Sequence, residues 1–93
     1  MLNSFGDKET RKIWEGEKVL GISTALQEKA RMKLRMLNNS QDINDLKIPP
    51  SNRLEKLKGS LKDYYAIRVN DQWRIIFKWQ NGRADKVRLI DYH

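Results

Sequence analysis

Apolar and polar side chains alternate along three successive segments of the chain, residues 64–69, 73–79 and 84–90. Successive side chains of a β-strand point to opposite faces of its sheet, so each segment predicts a strand with one apolar face. Asn81-Gly82 lies between the last two segments, and both residues accept the positive φ angles of a two-residue hairpin turn. The pattern therefore predicts an antiparallel sheet with one face against a core.

Two helices are predicted before this sheet. Asp7 is positioned to cap a first helix that runs to about Gly16, because its carboxylate can accept hydrogen bonds from the first free amides. A second helix is predicted over residues 24–37, where Thr24 and Gln27 have the spacing of a capping box. Its apolar stripe consists of Ile22, Leu26, Ala30, Leu34 and Leu37.

Two further segments have weaker strand patterns. Residues 2–5 are compatible with an edge strand, and residues 53–58 alternate less regularly than the later segments. The predicted order is β-α-α-β-β-β-β. The expected fold class is α+β, with the two N-terminal helices on one face of a mainly antiparallel sheet of four to five strands.

Length and composition exclude several classes of protein. At 93 residues we expect one small domain over residues 1–93. The chain has no cysteine, which excludes a disulfide framework and a zinc ribbon and agrees with a reducing cytoplasm. With His93 as the one histidine, we predict no metal site and no other cofactor. No apolar stretch approaches transmembrane length and residues 1–7 lack a signal-peptide core, so we expect a cytoplasmic protein without membrane contact.

The positive charge is concentrated in one half of the chain. The net charge is +7, and residues 46–93 contain eleven basic and five acidic residues, a net charge of +6. A surface this basic favours a polyanion such as nucleic acid. The strand pattern predicts that the sheet face opposite the helices carries Arg68, Arg74, Lys78, Lys86 and Arg88.

This basic face is suited to RNA chemistry. Tyr64 and Tyr92 lie among the cations, and aromatic rings can stack unpaired bases. RNA supplies its own nucleophile, the 2′-hydroxyl, so its cleavage needs a base, an acid and cations for the phosphate rather than a metal. Imidazole titrates near neutral pH, which makes His93 a candidate acid–base group. From the residues alone, a solvated basic face and an inert histidine remain the alternatives.

Five short motifs occur in a recognisable order and spacing. Residues 69–77 read Val-Asn-Asp-Gln-Trp-Arg-Ile-Ile-Phe, followed by Asn-Gly at 81–82 and Asp-Tyr-His at 91–93. Upstream, residues 53–59 read Arg-Leu-Glu-Lys-Leu-Lys-Gly, and residues 4–5 read Ser-Phe. Together these motifs resemble the HigB branch of the RelE/ParE toxin superfamily, the plasmid-maintenance killer proteins of type II toxin–antitoxin systems.

The resemblance implies a fold, an activity and partners. The RelE-like fold is a curved antiparallel sheet with two helices on one face. HigB toxins are ribosome-dependent mRNA interferases, endoribonucleases that cleave translated mRNA in the A site without a cofactor and thereby inhibit translation. The implied partner is HigA, an antitoxin with a helix-turn-helix domain. The toxin would meet operator DNA only through the antitoxin complex, which represses its own operon.

The resemblance also implies site residues, position by position. Arg74 would hold the scissile phosphate, with Lys58 as a second cation. His93 would be the acid–base group, Tyr92 would stack or donate a hydrogen bond near the base, and Asp91 would orient His93 or transfer a proton. Alternation puts Asp91 and His93 on the face opposite Tyr92, so the strand end must twist for the three to converge. The implied RNA contacts are Arg53, Glu55, Lys56, Arg68, Asn70 and Lys78.

Two positions depart from the family pattern. Glu55 stands where some members have a histidine, and Asn70 stands where some have an additional arginine. Arg68 lies two residues before Asn70 and is a candidate replacement for that arginine. With fewer titrating groups, the resemblance predicts a weak or slow toxin.

Three other functions remain open. The same face would also serve a basic RNA- or DNA-binding module without catalysis. Residues 17–35 have the outline of a helix-turn-helix, although their apolar stripe is needed for the core. The ParE branch of the superfamily poisons gyrase, and the Asp-Tyr-His motif at residues 91–93 argues for RNA cleavage over that activity.

Overall fold

The computed structural model describes residues 1–92, which form two α-helices, four β-strands and three short 3₁₀ helices. The helices are α1 (Lys8–Trp14) and α2 (Thr24–Asn39). The strands are β1 (Glu55–Lys56), β2 (Tyr65–Arg68), β3 (Trp73–Gln80) and β4 (Arg83–Asp91). The 3₁₀ helices are Ile43–Lys47, Pro50–Asn52 and Gly59–Leu61. Two helices packed on a four-stranded antiparallel sheet confirm the predicted α+β class.

The sheet is built around the β3–β4 hairpin. Its turn lies at Asn81 and Gly82, with φ angles of 53° and 75°, which confirms the hairpin predicted from this dipeptide. A Cβ on Gly82 would stand 3.3 Å from the carbonyl oxygen of Gln41, a second reason for glycine there. Each strand pairs antiparallel with the next along the chain, giving the order β1-β2-β3-β4.

A β-bulge interrupts the predicted alternation in β4. The β3–β4 register shifts between Ile76 and Lys78, and Lys86 has a φ angle of 52°. Ala84 and Val87 are both buried in the helix-side core although they are three positions apart, because the bulge absorbs one residue. The prediction that Lys86 continues a regular basic face is therefore wrong, since Lys86 lies in the bulge.

The N-terminal segment lies along the outer side of β4 without becoming a strand. Leu2 bridges to Ala84 and Phe5 bridges to Val87, both in the parallel sense. These are isolated bridges, so the edge strand considered for residues 2–5 is not formed. The segment covers part of the β4 edge that would otherwise be open to another chain.

The strand predicted over residues 53–58 is reduced to β1. Arg53 has φ 47° and ψ 51°, in the left-handed helical region, so the chain becomes extended only after it. Beyond β1 the chain turns into a 3₁₀ helix at Gly59, whose φ angle is 67°. The prediction failed because the local turn geometry overrides a weak alternation.

Side-chain hydrogen bonds place α1 at the edge of the sheet. The carboxylate of Asp7 accepts from the backbone amide of Thr10 at 2.8 Å, which confirms the predicted cap. The helix ends at Trp14, two residues before the predicted Gly16. The hydroxyl of the buried Thr10 accepts from the backbone amide of Leu89 at 2.9 Å, so α1 is tied to β4.

The cap of α2 differs from the prediction. Ser23 caps the helix by accepting from the Leu26 amide at 3.1 Å, so the capping box expected at Thr24 and Gln27 is wrong. The buried Gln27 side chain instead donates to the carbonyls of Val19, at 2.9 Å, and Ile22, at 2.7 Å.

No helix within residues 1–92 combines the length and apolar character needed to cross a membrane.

The main core lies between the helices and one face of the sheet. The helices contribute fully buried residues such as Ile13 and Leu37, and the strands contribute Ile67, Ile75 and Phe77. Leu37 belongs to the predicted helical stripe, and the three strand residues lie on the apolar faces that the alternation predicts. Burial of such side chains stabilises the fold by about 1.5–3 kcal/mol each.

A second, smaller apolar cluster lies on the opposite face of the sheet. Its buried members are Leu57, Ala66 and Ile76. The partly buried residues packed against them are Leu61, Tyr64, Ile90 and Tyr92. The basic face predicted from alternation is therefore not bare, because the segment after β1 folds back over part of it.

A buried polar network ties α2 to the 3₁₀ helices. The ammonium of Lys33, whose side chain is only 8% exposed, donates to the side-chain oxygen of the fully buried Asn52 at 2.6 Å. The amide nitrogen of Asn52 donates in turn to the Leu46 carbonyl at 3.1 Å. Burial lowers the pKa of Lys33, and the nearby positive charges of Lys29 and Arg68 lower it further.

Replacing Asn52 by leucine should lower the free energy of unfolding by about 3 kcal/mol, because the buried ammonium of Lys33 would lose its acceptor. Urea unfolding at neutral pH measures this loss. Adding Lys33→Met removes the unpaired charge and should recover most of the stability. A double variant as unstable as Asn52→Leu alone would contradict this account of the network.

The Lys33 network also predicts a pH dependence. The lowered pKa means that the folded chain binds this proton less tightly than the unfolded chain, whose lysine has the ordinary pKa of 10.5. The unfolding free energy should therefore rise as pH increases through the folded pKa towards 10.5. Lys33→Met should reduce this rise when urea midpoints of variant and wild type are compared at alkaline pH. Identical profiles would contradict the prediction.

Candidate active site

Arg74 is held firmly on the sheet face away from the helices. Its Nη1 donates to the backbone carbonyls of Asn70, at 2.5 Å, and Trp73, at 3.2 Å. Its guanidinium carbon lies 5.3 Å from the centre of the Tyr92 ring, within the range of a cation–π contact. Within residues 1–92 the hydrogen bonds of this side chain all use Nη1, which leaves Nε and Nη2 available to an anion.

The β2–β3 turn explains why those carbonyls face Arg74. The side-chain oxygen of Asn70 accepts from the backbone amides of Gln72, at 2.9 Å, and Trp73, at 2.8 Å. This Asx-type turn holds the chain compactly between the two strands. Asn70, implied by the resemblance to be an RNA contact, therefore shapes the turn with its side chain and holds Arg74 with its carbonyl.

Tyr92 reaches Arg74 because the chain stays paired beyond β4. The backbone amide of Tyr92 donates to the Gln72 carbonyl at 2.7 Å, which continues the alignment of β4 with β3. The Tyr92 ring also packs against the small apolar cluster around Leu57. His93 follows directly in sequence and lies outside the described residues, so its role stays a prediction.

Lys58 and Tyr92 line the same groove. The groove has a volume of about 390 Å³, and its floor includes Leu57 and Leu61 from the segment that folds over the sheet. Glu55 also lines it, on the same sheet face as its cross-strand partner Ala66. Four of the residues implied by the resemblance line this groove beside Arg74, namely Glu55, Lys56, Lys58 and Tyr92.

Asp91 lies on the other side of the strand end. Its cross-strand partner is Trp73, whose ring packs against the helix-side core. Its carboxylate accepts from the side-chain amide of Gln72 at 3.0 Å. The alternation of Asp91 and Tyr92 predicted from the sequence is thus present in the structure, with Tyr92 and Arg74 on one face and Asp91 on the other.

Two of the implied RNA contacts do not join the groove through their charged groups. Lys56 pairs with Tyr65, and its ammonium lies 4.6 Å from the centre of that ring, which packs on the helix-side core. Arg53 is exposed at the left-handed turn before β1. Lys56 therefore lines the groove while its ammonium lies beside Tyr65, and Arg53 is not part of the groove lining.

The remaining basic residues on this face differ in their partners. Arg68 stands directly across from Arg74 in the β2–β3 pairing, and its guanidinium forms an ion pair with the exposed Asp71. Lys78 lies on β3 four residues after Arg74, and its ammonium is 5.4 Å from the centre of the Tyr64 ring. Arg68 is thus placed beside Arg74 as a replacement cation would be, with its charge partly neutralised.

Several parts of the site are not predicted by the sequence. Leu57 and Leu61 form the groove floor, and the carbonyls of Asn70 and Trp73 orient the arginine. Strand alternation predicts Tyr64 on the basic face, but the sequence motifs do not assign it to the site. Among residues 1–92 there is no group of three or more histidine, cysteine, aspartate or glutamate residues arranged to hold a metal ion.

Comparison with known proteins identifies the family. A model of HigB-like toxins, described as RelE-like toxins of the type II toxin–antitoxin system HigB, matches residues 3–93. Toxin HigB-1 of Vibrio cholerae serotype O1 is 40% identical over 85 residues, covering 90% of each chain. Endoribonuclease HigB of Proteus vulgaris is 28% identical over 93 residues, covering 100% of each chain. A chain of the solved YoeB–YefM complex from Staphylococcus aureus has a TM-score of 0.64 at 18% identity, covering 100% of this chain and 98% of that one.

These comparisons agree with the motifs and with the fold. The family model spans the Arg-Leu-Glu-Lys-Leu-Lys-Gly, Trp-Arg and Asp-Tyr-His segments that carry the resemblance. The solved structure shares the arrangement of helices and sheet, which at its low identity is evidence for the fold alone. The resemblance is confirmed, and the chain belongs to the HigB-like family of RelE-type toxins of type II toxin–antitoxin systems.

Proposed function

We propose that this chain is an endoribonuclease toxin that cleaves translated mRNA in the ribosomal A site and thereby stops translation. The observation that carries the proposal is the Arg74 guanidinium, held by backbone carbonyls beside the Tyr92 ring on the face away from the helices. Family membership and the relative named Endoribonuclease HigB support the same activity. The cytoplasm, where ribosomes translate, is the proposed location.

The proposed reaction uses the 2′-hydroxyl of RNA as nucleophile. A base removes the hydroxyl proton, the 2′-oxygen attacks the adjacent phosphorus, and the bond from phosphorus to the 5′-oxygen breaks. An acid donates a proton to the leaving 5′-oxygen. The products are a 2′,3′-cyclic phosphate and a free 5′-hydroxyl, so one proton is taken and one returned and no cofactor is consumed.

The described side chains match the electrostatic part of this reaction. Arg74 offers Nε and Nη2 to the scissile phosphate, and its prior hydrogen bonds mean that little reorganisation is needed as charge develops. Lys58 supplies a second cation from the lining of the groove. Tyr92, which contacts Arg74 and lines the groove, would stack on a base or donate to the phosphate.

The proton-transfer part is assigned by resemblance. His93 is proposed as the acid–base group, since imidazole is the side chain suited to both steps near neutral pH. Asp91 is proposed to orient it, from a strand end where Gln72 already holds its carboxylate. Because Arg68 is paired with Asp71 and Asn70 replaces a cation of some relatives, we propose that cleavage is slow.

We also propose a protein antitoxin of the HigA type, with a helix-turn-helix domain, as the partner of this chain. The family is defined by type II toxin–antitoxin systems, and the structurally similar YoeB was solved as a YoeB–YefM complex. Operator DNA would be bound by the antitoxin, with the toxin present as part of the complex.

Arg74→Ala should reduce mRNA cleavage by about 100- to 1,000-fold, the loss typical of removing one donor to a developing oxyanion. Arg74→Lys should retain part of the activity, since it keeps the charge but loses the planar pair of donors. Inducible expression followed by mapping of mRNA 5′ ends measures both. Wild type should produce new ends within translated codons that carry a 5′-hydroxyl.

A matched control is Arg35→Ala, which removes an exposed arginine from α2 on the helix side of the molecule. It should cut like wild type. Cleavage by Arg74→Ala at the wild-type level would remove Arg74 from the site. DNA breaks without new mRNA ends in cells expressing wild type would favour a gyrase inhibitor, and growth arrest with neither would favour a binding module.

The partner proposal has its own test. Co-expression of a small helix-turn-helix protein encoded beside this chain should restore growth and co-purify with it. The Arg74→Ala variant should co-purify equally well if binding and catalysis are separate. Persistent growth arrest with no co-purification would contradict this partner.

A further inference from the structure

A second cation–aromatic pair stands on the same sheet face as Arg74 and Tyr92. The Lys78 ammonium lies 5.4 Å from the centre of the Tyr64 ring, close to the 5.3 Å that separates the Arg74 guanidinium from the Tyr92 ring. Both rings pack against the small apolar cluster that contains Ile76. The two pairs therefore have the same arrangement, in which a cation lies near a ring and the ring packs against the small apolar cluster.

Lys78 keeps its positive charge unpaired although a carboxylate stands across from it. Its cross-strand partner is Asp85, whose Oδ1 accepts from the side chains of Asn3 at 2.6 Å and Ser4 at 3.0 Å. The Asn3 hydrogen bond, followed by weaker contributions from Ser4 and Arg83, lowers the pKa of Asp85. Within residues 1–92 the ion pair that forms is Arg68–Asp71, so Lys78, like Arg74, is not neutralised by a salt bridge.

The spacing of the two pairs suits a single strand of RNA. Arg74 and Lys78 are four residues apart on β3, which corresponds to about 13 Å along an extended strand. Only one ribose separates neighbouring phosphates of an RNA strand, and this distance is longer than that separation, so the two cations would contact different phosphates. Ile76 lies between them on the same face, and its side chain is buried in the cluster rather than blocking the path.

We infer that Lys78 and Tyr64 form a second phosphate-binding subsite for single-stranded RNA, occupied by the strand that flanks the cleaved linkage. The inference rests on the proposed function for the role of Arg74 as the first subsite. Lys78 contacts a phosphate of the flanking RNA, and Tyr64 is a positioning residue that keeps the ammonium on this face. The substrate must therefore extend beyond the two nucleotides that are joined by the scissile phosphate.

The test measures binding separately from cleavage. The probe is a fluorescent single-stranded RNA of about eight nucleotides, in the range of single-strand binding sites, with 2′-O-methyl groups that block the nucleophile. Affinity is measured as a function of salt concentration for the full chain. Each phosphate contact on a single strand contributes about 0.7 to the slope of log affinity against log salt, so Lys78→Ala should reduce that slope by about 0.7.

Tyr64 is tested by paired substitutions. Tyr64→Leu keeps an apolar side chain but removes the ring, and it should weaken binding several-fold, whereas Tyr64→Phe should bind like wild type. If Tyr64 acts through Lys78, adding Tyr64→Leu to Lys78→Ala should cause no further loss. Thermal unfolding checks that the variants fold. If Tyr64→Leu does not fold, the salt slope of Lys78→Ala is the test.

The control is Lys18→Ala, which removes the same charge from an exposed position before α2. It should leave the salt slope unchanged. An equal fall for Lys18→Ala and Lys78→Ala, tighter binding of duplex than of single-stranded RNA, or no binding of the probe would overturn the subsite. A Lys78-dependent slope without mRNA cleavage in cells would refute the proposed function alone, and cleavage without that slope would refute the subsite alone.

Discussion

Hydrogen bonding between β3 and β4 determines which side chains of the candidate site can meet. The ladder pairs Arg74 with Ile90, and its continuation to the Tyr92 amide brings the Tyr92 ring over the arginine. A shift of this pairing by one residue would move Tyr92 to the helix side, because strand side chains alternate with a period of two. The bulge at Lys86 allows both halves of β4 to keep their apolar residues in the core, so the site depends on that irregularity as much as on the regular ladder.

The basic side chains on the face away from the helices have different partners. Arg68 is compensated by an exposed aspartate, Arg74 is held by carbonyl dipoles, and Lys78 rests beside a ring. Carbonyls and rings orient a cation without cancelling its charge, whereas a carboxylate orients the cation and also cancels its charge. Two of the three cations are therefore oriented and still able to attract phosphate, which is a stronger argument for an RNA-binding surface than the net charge of +7.

The buried Lys33–Asn52 pair shows a polar interaction of the opposite kind. Its ammonium is withdrawn from water among the helix α2 and the 3₁₀ helices, where it serves the packing of the chain rather than a ligand. The apolar stripe predicted for α2 leaves the basic residues of this helix on its other faces. A lysine on the helix flank has the same pattern whether it faces water or a buried acceptor, and Asn52 is distant in sequence.

The amino-acid sequence by itself determined the α+β class, the hairpin at Asn81-Gly82, the Asp7 cap and the core faces of the long strands, because these depend on local periodicity and turn chemistry. The motifs also identified the family. The tertiary structure alone decided the bulge at Lys86 and the segment that folds over the open face, since both arise from contacts between different elements of the chain. The short β1 and the Ser23 cap depend on turn geometry that the pattern of residue types did not reveal. Only the structure shows that the carbonyls of Asn70 and Trp73 orient Arg74, because the direction of a backbone carbonyl depends on the folded turn and not on residue type alone.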